Sequence, residues 1–430
     1  MPGTKSFAVV IAISLFILMV IYDTYFNKKS ILMGLKSKIK NSSFARSRAL
    51  EHKLYHNFTR DRVIHLQYII DQMRQYYGMN RTQKLENTSS REGNFSLKPK
   101  KVVLGYTTYF GNKPWGWMKN SYEFNHWEGI QCPYFTCELT FNRRDRQRSD
   151  ALIFHARDMP PLYTMRYILE KKDPKQRWIY FAMESPMHNP RTVRLYDMFN
   201  WTMNYRKDSD IYRPYSYYFK SFTIPTMPAN EYLKGKDRLA FWTASNCGLL
   251  RDEYVKKLLG YISVDVFGAC RSTVGAKDVG DCPHGSQECE TILKRYKFEL
   301  AFENSNCVDY ITEKYWDGIK KGIVPVVMGG GHYDERTAIP GSFINVMDFK
   351  SVKDLANYLV FLDKNNDEYV KYFAWKSKYR ITNYPPWNCV VCARLYLDSE
   401  PKFYERLDDI FDAEKNCGKN EKELKRMIDL

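Results

Sequence analysis

One segment, residues 298–329, constrains the fold more than any other part of the chain. It opens with the apolar run FELAF (298–302), which has the length and composition of a β-strand. It closes with a second apolar run, IVPVVM (323–328), and a polar loop (303–310) and a helix beginning near Thr312 lie between the two. This alternation predicts one β-α-β unit with two parallel strands.

Four polar side chains fall where this unit would bind a ligand. In open α/β sheets ligands bind beyond the carboxyl ends of the strands, and this places Asn304, Tyr310, Glu313 and Lys314 at such an edge. A lysine and the amides of a helix N-terminus favour phosphate, and a carboxylate accepts hydrogen bonds from sugar hydroxyls. The combination predicts a nucleotide-sugar pocket. The competing interpretation is an ordinary buried β-α-β unit with solvated charges.

The string FENSNCVDYITEK (302–314), followed by GIVPVVMG (322–329), closely resembles the donor-binding signature of the α1,3-fucosyltransferases. The resemblance extends to ESPMHNP (184–190), FNWTMNYRKDSDIYRPY (199–215) and VDVFG (264–268). It implies an α/β fold of the GT-B type, in which two Rossmann-like domains face each other across a cleft. It also implies an inverting enzyme that transfers L-fucose from GDP-fucose, in α1,3 linkage, to N-acetylglucosamine of glycoprotein or glycolipid glycans.

The amino-terminal segment indicates a membrane anchor. Residues 7–26 are almost unbroken apolar sequence, with Asp23 as the only charge, and about 20 helical residues cross the hydrocarbon core of a bilayer. A cleaved signal peptide is disfavoured, because no small-residue cleavage site follows. The basic residues Lys28 and Lys29 follow the span, which by charge alone favours the opposite orientation.

The glycosylation sequons decide the orientation. Besides Asn200, five N-x-Ser/Thr triplets crowd into one polar segment, at Asn41, Asn57, Asn80, Asn87 and Asn94. They predict a glycosylated luminal stem over 27–100, after a cytosolic tail over 1–6. The chain is therefore expected to be a single-pass type II Golgi membrane protein with luminal catalytic domains. A luminal location excludes nucleic acid as a partner, although the net charge of the chain is +17.

The stem contains a leucine-rich pattern of near-helical spacing over about residues 45–77. Such a helix could pair with a copy of itself and form a homodimer. A solvated, frayed helix explains the pattern equally well, and both interpretations stay open.

Beyond the stem, alternating strands and helices predict two α/β domains and a tail. We expect an acceptor-side domain over 101–235 and a GDP-fucose-binding domain over 236–375. The C-terminal tail, 376–430, is expected to pack back on the first domain. Residues 214–236 lack periodicity and predict the linker between the domains.

Glu184 is the candidate general base. It follows the apolar strand 178–181, so it should stand at the carboxyl edge of the first sheet, and Glu184-Ser185-Pro186 matches the family motif whose glutamate is the base. The alternatives are that Glu184 caps the next helix or pairs with Arg191.

Two cations are candidates for stabilising the departing diphosphate. Lys314 lies in the donor signature, and Arg251 follows the first strand of the second domain, where the family carries an arginine. The alternative for Arg251 is a surface helix charge. Glu313 is expected to bind fucose or ribose hydroxyls, with Asn304 and Tyr310 lining the same pocket.

No metal site or required cofactor is predicted, although stimulation by Mn²⁺ stays compatible with this reading. Asp208-Ser209-Asp210 looks like the metal-binding DxD of other glycosyltransferases, but the resemblance implies a structural role. Gly329-Gly330-Gly331 is not followed by the GK[ST] of a Walker loop. We read it as a glycine turn after a strand.

The ten cysteines of a luminal chain predict disulfides. Cys247 and Cys307 each follow a strand of the second sheet and could pair. The family resemblance implies that two cysteine pairs tie the tail to the first domain, and zinc binding by a further group is disfavoured. The cysteines implied to tie the tail are Cys132, Cys137, Cys389 and Cys392, and the disfavoured zinc group is Cys270, Cys282, His284 and Cys289.

The acceptor and the turnover are left open. Trp115, Trp117 and Trp127 could stack on acceptor sugars or belong to the core. Two rival functions are a transferase fold that binds glycans without turnover, and a transferase that uses another nucleotide sugar.

Overall fold

The computed structural model describes residues 99–430, except 128–129, 133, 190–194, 221–227, 284, 384 and 399–401. The predicted cytosolic tail, membrane anchor, stem and five clustered sequons lie outside the described residues. Among the helices that the structure describes, none is both long and apolar enough to cross a membrane.

The strands of the described part are short and mostly apolar. They are β1 (Lys101–Gly105), β2 (His126–Trp127), β3 (Ile130–Gln131), β4 (Cys137–Thr140), β5 (Ala151–His155), β6 (Arg177–Ala182), β7 (Trp201–Asn204), β8 (Ile211–Tyr212), β9 (Tyr217–Lys220), β10 (Arg238–Thr243), β11 (Val264–Phe267), β12 (Tyr296–Phe302), β13 (Val324–Met328), β14 (Ile344–Asn345) and β15 (Tyr379–Thr382).

The α-helices alternate with these strands. They are α1 (Ser121–Phe124), α2 (Leu162–Leu169), α3 (Leu250–Leu258), α4 (Arg271–Val274), α5 (Gln287–Leu293), α6 (Glu313–Lys321), α7 (Val352–Lys364), α8 (Asn366–Val370), α9 (Trp387–Leu397), α10 (Ala413–Asn416) and α11 (Glu421–Asp429).

Two parallel sheets carry the fold. The first has the strand order β4-β1-β5-β6-β7-β8, and the second has the order β11-β10-β12-β13-β14. Neighbouring strands are parallel throughout both sheets. Strands β5 and β13 are buried along their whole length, as expected for parallel sheets covered on both faces. The predicted β-α-β unit is present as β12, α6 and β13.

Each sheet has an apolar core on both faces. One core of the second sheet packs α3 and α7 against β10, β12 and β13, and the opposite core packs α6 against β12 and β13. In the first sheet, α9 closes one face and α2 closes the other. The helix α9, which lies within the predicted tail, packs on the first sheet.

The stretch predicted to be a linker contains structure of its own. Its β9 pairs antiparallel with β15 near the end of the chain, with Tyr217 opposite Thr382 and Lys220 opposite Tyr379. Local periodicity could not indicate this strand, because its partner is far away in sequence. Residues 101–127 and 131–430 belong to one compact unit, and the domain boundary at residue 235 stays a prediction.

All ten cysteines are oxidised. The two pairs implied for the tail are confirmed as Cys132–Cys389 and Cys137–Cys392. The pairing of Cys247 with Cys307 was wrong. Both residues do lie at the carboxyl edge of the second sheet, but each has another partner. The remaining disulfides are Cys247–Cys270, Cys282–Cys289 and Cys307–Cys417. His284 lies outside the described residues.

Asn200, the sequon outside the stem, is part of the core. Its side chain is buried, its Nδ2 donates to the carbonyl of Lys402 (2.8 Å) and its Oδ1 accepts from Trp178 N (2.8 Å) and Lys172 Nζ (2.7 Å). An amide held in this way cannot carry a glycan in the folded protein.

Glu299 gives the second sheet a pH-dependent stability. Its Oε2 is buried without a hydrogen-bond partner among the described residues, against the backbone of α6 at Gly318. Burial raises the pKa of Glu299 to about 8, with smaller effects from Lys321 and Asp317. The native protein therefore keeps a proton that the unfolded chain releases near pH 4.5, so this residue lowers the stability progressively as the pH rises from about 4.5 towards 8.

We expect Glu299→Gln to stabilise the protein by roughly 1–3 kcal/mol at pH 8, because the variant has no buried carboxyl group to ionise. The gain should shrink as the pH falls towards 5. Denaturant unfolding of both proteins across this range measures the difference, and a gain that is independent of pH would contradict the raised pKa.

Candidate active site

The predicted site residues come from strand ends on the two sheets. Glu184 follows β6, and the loop 303–312, which we call the donor loop, follows β12. Arg251 lies in the first turn of α3, which follows β10. Parallel strands place all these segments at the carboxyl edges of their sheets.

Glu184 and Tyr310 meet between the two sheets. The Tyr310 hydroxyl donates to Glu184 Oε2 at 3.2 Å, and Tyr310 is 1% exposed whereas Glu184 is partly exposed. Burial raises the pKa of Tyr310, and the negative charges of Glu303 and Glu184 raise it further. Tyr310 therefore stays a neutral donor to the carboxylate at physiological pH.

The alternative that Glu184 caps the next helix is wrong. The turn at 186–188 has Ser185 at its N-cap position, without a side-chain cap. The other alternative partner, Arg191, lies outside the described residues. Among those that are described, Tyr310 is the one hydrogen-bond partner of the Glu184 carboxylate.

Backbone contacts hold Glu184 in place. Asn189 Nδ2 donates to the Glu184 carbonyl (2.6 Å), and the Tyr215 hydroxyl donates to the Met183 carbonyl (2.9 Å). The Ser185 and Ser305 hydroxyls are 2.8 Å apart. The turn that carries Glu184 is thus bonded on one side to the donor loop.

Glu303, which we did not predict, organises the donor loop. Its side chain is fully buried, and its carboxylate accepts from Thr312 N (2.7 Å) and Thr312 Oγ1 (2.8 Å). Thr312 is the N-cap of α6. One signal in the sequence could have indicated this role. Glu303 is a charged residue directly after a buried strand, where an unpaired carboxylate would cost free energy.

Lys314 lies between two carboxylates. Its Nζ is 2.8 Å from Glu313 Oε1 and 3.6 Å from Glu303 Oε2. Burial alone would lower the pKa of Lys314, but these two negative charges more than compensate and raise it. Burial alone would raise the pKa of Glu313, but the positive charge of Lys314 outweighs this effect, and the pKa of Glu313 is lowered. The site therefore holds a charged lysine and a charged, half-exposed glutamate.

Arg251 is not a surface charge. It is 4% exposed, with Nη1 donating to the Phe302 carbonyl (2.8 Å) and Nη2 to the Asn246 carbonyl (2.9 Å). Its Nε is buried without a hydrogen-bond partner among the described residues. Arg251 also lies close enough to Lys314 for its charge to oppose protonation of the lysine. Its nearest anion in the protein is the buried Asp252 carboxylate, whose Oδ1 lies 3.8 Å from Arg251 Nε.

Asn304 is partly exposed and accepts from the Ser305 hydroxyl at 3.2 Å. It follows Glu303 directly, so the predicted pocket residues Asn304, Tyr310, Glu313 and Lys314 all belong to one loop and the first turn of the helix that follows it.

The glycine turn after β13 packs on the donor loop. A Cβ on Gly330 would lie 2.5 Å from the backbone of Asn306, and one on Gly331 would lie 2.9 Å from the Ile311 side chain. Glycine at these two positions therefore permits a close approach of the turn to the donor loop, a contact that the sequence did not predict.

The carboxylates of the apparent DxD motif are engaged in the protein. Asp208 pairs with Arg206. Asp210 is buried, accepts from Thr202 N (2.9 Å) and contacts Lys402. This arrangement agrees with the structural role implied for the motif.

The candidate acceptor aromatics divide in two groups. Trp115 and Trp127 are at most 1% exposed and belong to the core. Trp117 is partly exposed, and the guanidinium of Arg213 lies 4.6 Å from the centre of its ring.

Two family models match this chain side by side. "Fucosyltransferase, N-terminal" matches residues 98–216, and "Glycosyltransferase family 10 (fucosyltransferase) C-term" matches residues 233–410. Together they cover both parallel sheets and every predicted site residue.

Curated relatives agree with these models. The chain is 35% identical over 325 residues to glycoprotein 3-alpha-L-fucosyltransferase A of Drosophila melanogaster, covering 73% of this chain but only 60% of that relative. It is 37% identical over 273 residues to a human 4-galactosyl-N-acetylglucosaminide 3-alpha-L-fucosyltransferase, covering 63% of this chain and 73% of the relative. A crystal structure of an alpha1,3-fucosyltransferase with GDP-fucose matches with a TM-score of 0.42 and 15% identity, over 72% of this chain and 93% of that one.

The two sheets and these matches define an enzyme of the glycosyltransferase class. The chain belongs to glycosyltransferase family 10, the fucosyltransferases, and its relatives are named as alpha-1,3-fucosyltransferases. The resemblance carried by residues 302–314 is confirmed.

The glycine turn provides a test of the packing at this site. Gly330→Ala should destabilise the protein by about 1–3 kcal/mol, because its methyl group would meet the Asn306 backbone in a packed interior. Gly329→Ala is the matched control, since its Cβ would make only ordinary contacts of 3.6 Å or more. Thermal unfolding of both variants measures the difference, and equal melting temperatures would show that the turn does not pack as described.

Proposed function

We propose that this protein transfers L-fucose from GDP-fucose, with inversion, to the 3-hydroxyl of N-acetylglucosamine in a glycoprotein or glycolipid glycan. The observation that carries the proposal is the contact between Glu184 and Tyr310. It joins the candidate base on the first sheet to the loop that carries the candidate donor residues on the second.

Glu184 acts as the general base. The acceptor hydroxyl gives its proton to the carboxylate, the acceptor oxygen forms a bond with the anomeric carbon of fucose, and the bond from that carbon to the diphosphate breaks with its electron pair leaving on GDP. One displacement of this kind inverts the anomeric centre and needs no protein nucleophile. The hydrogen bond from Tyr310 orients one carboxylate oxygen and leaves the other for the acceptor.

The cations stabilise the departing GDP. Lys314 is paired with Glu313. Binding of the diphosphate draws Lys314 towards phosphate oxygens, and Glu313 is released to accept hydrogen bonds from fucose or ribose hydroxyls. Arg251, whose Nε lies 3.8 Å from the buried Asp252 carboxylate, offers to the diphosphate the Nη N–H groups that do not bond backbone carbonyls. Asn304 and Tyr310 line the pocket, and the reaction proceeds without a required metal ion.

We further propose that the protein works in the Golgi lumen as a type II membrane protein, with residues 7–26 as its anchor. The five oxidised cysteine pairs support a compartment that favours disulfides.

Replacement of Glu184 tests the base. Glu184→Gln keeps the size and the contact with Tyr310 but cannot take a proton, so turnover should fall by about 10²–10⁴-fold. Binding of GDP-fucose and the melting temperature should change little. Glu170→Gln, an exposed substitution at the end of α2, is the matched control. A folded Glu184→Gln protein with near-normal turnover would remove Glu184 from the mechanism.

Replacement of Lys314 tests the donor pocket. Lys314→Ala should weaken GDP binding by about 1.5–3 kcal/mol, as the loss of a charge-assisted hydrogen bond does. Lys320→Ala removes an exposed lysine from the last turn of the same helix and should leave the affinity unchanged. Calorimetric titration of GDP into each folded variant gives the comparison. An unchanged affinity in Lys314→Ala would mean that the diphosphate binds elsewhere.

A further inference from the structure

A segment near the C-terminus is bonded directly to the donor loop. Residues 412–420, which we call the clasp, contain α10 and the turn that leads into α11. Cys417 of the clasp forms a disulfide with Cys307 in the middle of the donor loop. The family model that covers the second sheet ends at residue 410, so this contact lies beyond the part of the chain that the family pattern describes.

Backbone hydrogen bonds flank the disulfide on both sides. Val308 N donates to the Asn416 carbonyl at 2.8 Å, and Gly418 N donates to the Asn306 carbonyl at 3.0 Å. Cys307 and Cys417 thus face each other in an antiparallel bridge. The turn that follows α10 thus pairs with the middle of the donor loop through one isolated antiparallel bridge.

Side chains extend this contact to the surroundings of the loop. The Arg206 guanidinium contacts the Asn416 side chain. Lys419 Nζ donates to His332 Nε2 (3.0 Å), and His332 Nδ1 donates to Asp309 Oδ1 (2.9 Å). Asp309 has a positive φ of 57°, which is uncommon for a residue other than glycine. Its carboxylate is bonded on both oxygens, since Lys207 N donates to Oδ2 at 3.2 Å.

The clasp is itself anchored at both ends. Before it, Leu407 and Phe411 are buried in a core of the first sheet. After it, Leu424 and Met427 of α11 are buried in the core of the second sheet that also contains α3, the helix of Arg251. A segment fixed in two cores can hold a loop more firmly than a free tail could.

We propose that the clasp fixes the donor loop in the conformation that binds the nucleotide, and that Cys417 and Asn416 are positioning residues for donor binding. The proposal rests on the proposed function, because it assumes that the donor loop binds GDP. The clasp holds the loop on one side and the glycine turn holds it on the other. Ser305 and Tyr310 can then reach the turn of Glu184.

The test removes the disulfide by the double substitution Cys307→Ser and Cys417→Ser. The matched control is the double substitution Cys132→Ser and Cys389→Ser, which removes another long-range disulfide but leaves the neighbouring Cys137–Cys392 bond to hold α9 on the first sheet. GDP affinity is measured by calorimetry, and exchange of the donor-loop amides, including Val308, is followed by hydrogen exchange on the folded proteins.

We expect the Kd for GDP to rise by roughly tenfold in the clasp variant, since a loop that is no longer preorganised must be ordered when the nucleotide binds. The donor-loop amides should exchange faster, whereas the control should keep the affinity and the exchange of the parent protein. A clasp variant with a lower melting temperature but unchanged GDP affinity and loop exchange would overturn the proposal and leave the disulfide a purely stabilising role.

Asn416→Ala keeps the disulfide and removes the side-chain contacts with Arg206 and with the Ile410 and Asp412 carbonyls, so it tests the proposal if the double variant does not fold. It should also raise the Kd for GDP, but by a smaller factor than the double cysteine variant does. Lys415→Ala, an exposed neighbour that pairs with Asp409, should have no effect. An Asn416→Ala protein with unchanged Kd and loop exchange would count against the proposal. Failure of the unmodified protein to bind GDP would refute the proposed function instead.

Discussion

The buried carboxylate of Glu303 is the interaction on which the site depends. It stands at the end of β12 and accepts two hydrogen bonds from Thr312, the residue that begins α6. These bonds return the chain to the sheet edge after a loop of eight residues, 304–311, and they fix the first turn of the helix. Because Glu303 is fully buried, a carboxylate without hydrogen bonds would be costly there. The two bonds from Thr312 therefore constrain the conformation of the loop strongly.

Several weaker contacts also hold the donor loop, whose two ends are joined by the hydrogen bonds between Glu303 and Thr312. The glycine turn limits it from one side, and Ser305 and Tyr310 extend from it towards the turn of Glu184. The charged groups lie beside the same loop. Lys314 lies between Glu303 and Glu313, and Arg251 is buried. The candidate base and the candidate donor residues are thus parts of one bonded assembly rather than separate groups on two sheets.

The sequence predicted what local pattern and motif could specify. The mostly apolar runs at 101–105, 177–181 and 298–302 are strands, because a strand that is buried on both faces is largely apolar. The contacts of long sequence separation were not predictable in this way. Cys307 was assigned to Cys247 because both follow strands of one sheet, but its partner Cys417 comes from a segment without any pattern that points to the loop. Glu303 and β9 were missed for the same reason, since their roles depend on distant partners.

The positions of the disulfides also set an order of assembly. Cys132 and Cys137 pair with residues 389 and 392, and Cys307 pairs with residue 417. These three bonds therefore cannot form until residues 389, 392 and 417 have been synthesised and have reached an oxidising compartment. A nascent chain that has completed both sheets still lacks the residues that lock α9 and the donor loop. Translation that stops before residue 417 yields a chain without the covalent bond to its donor loop.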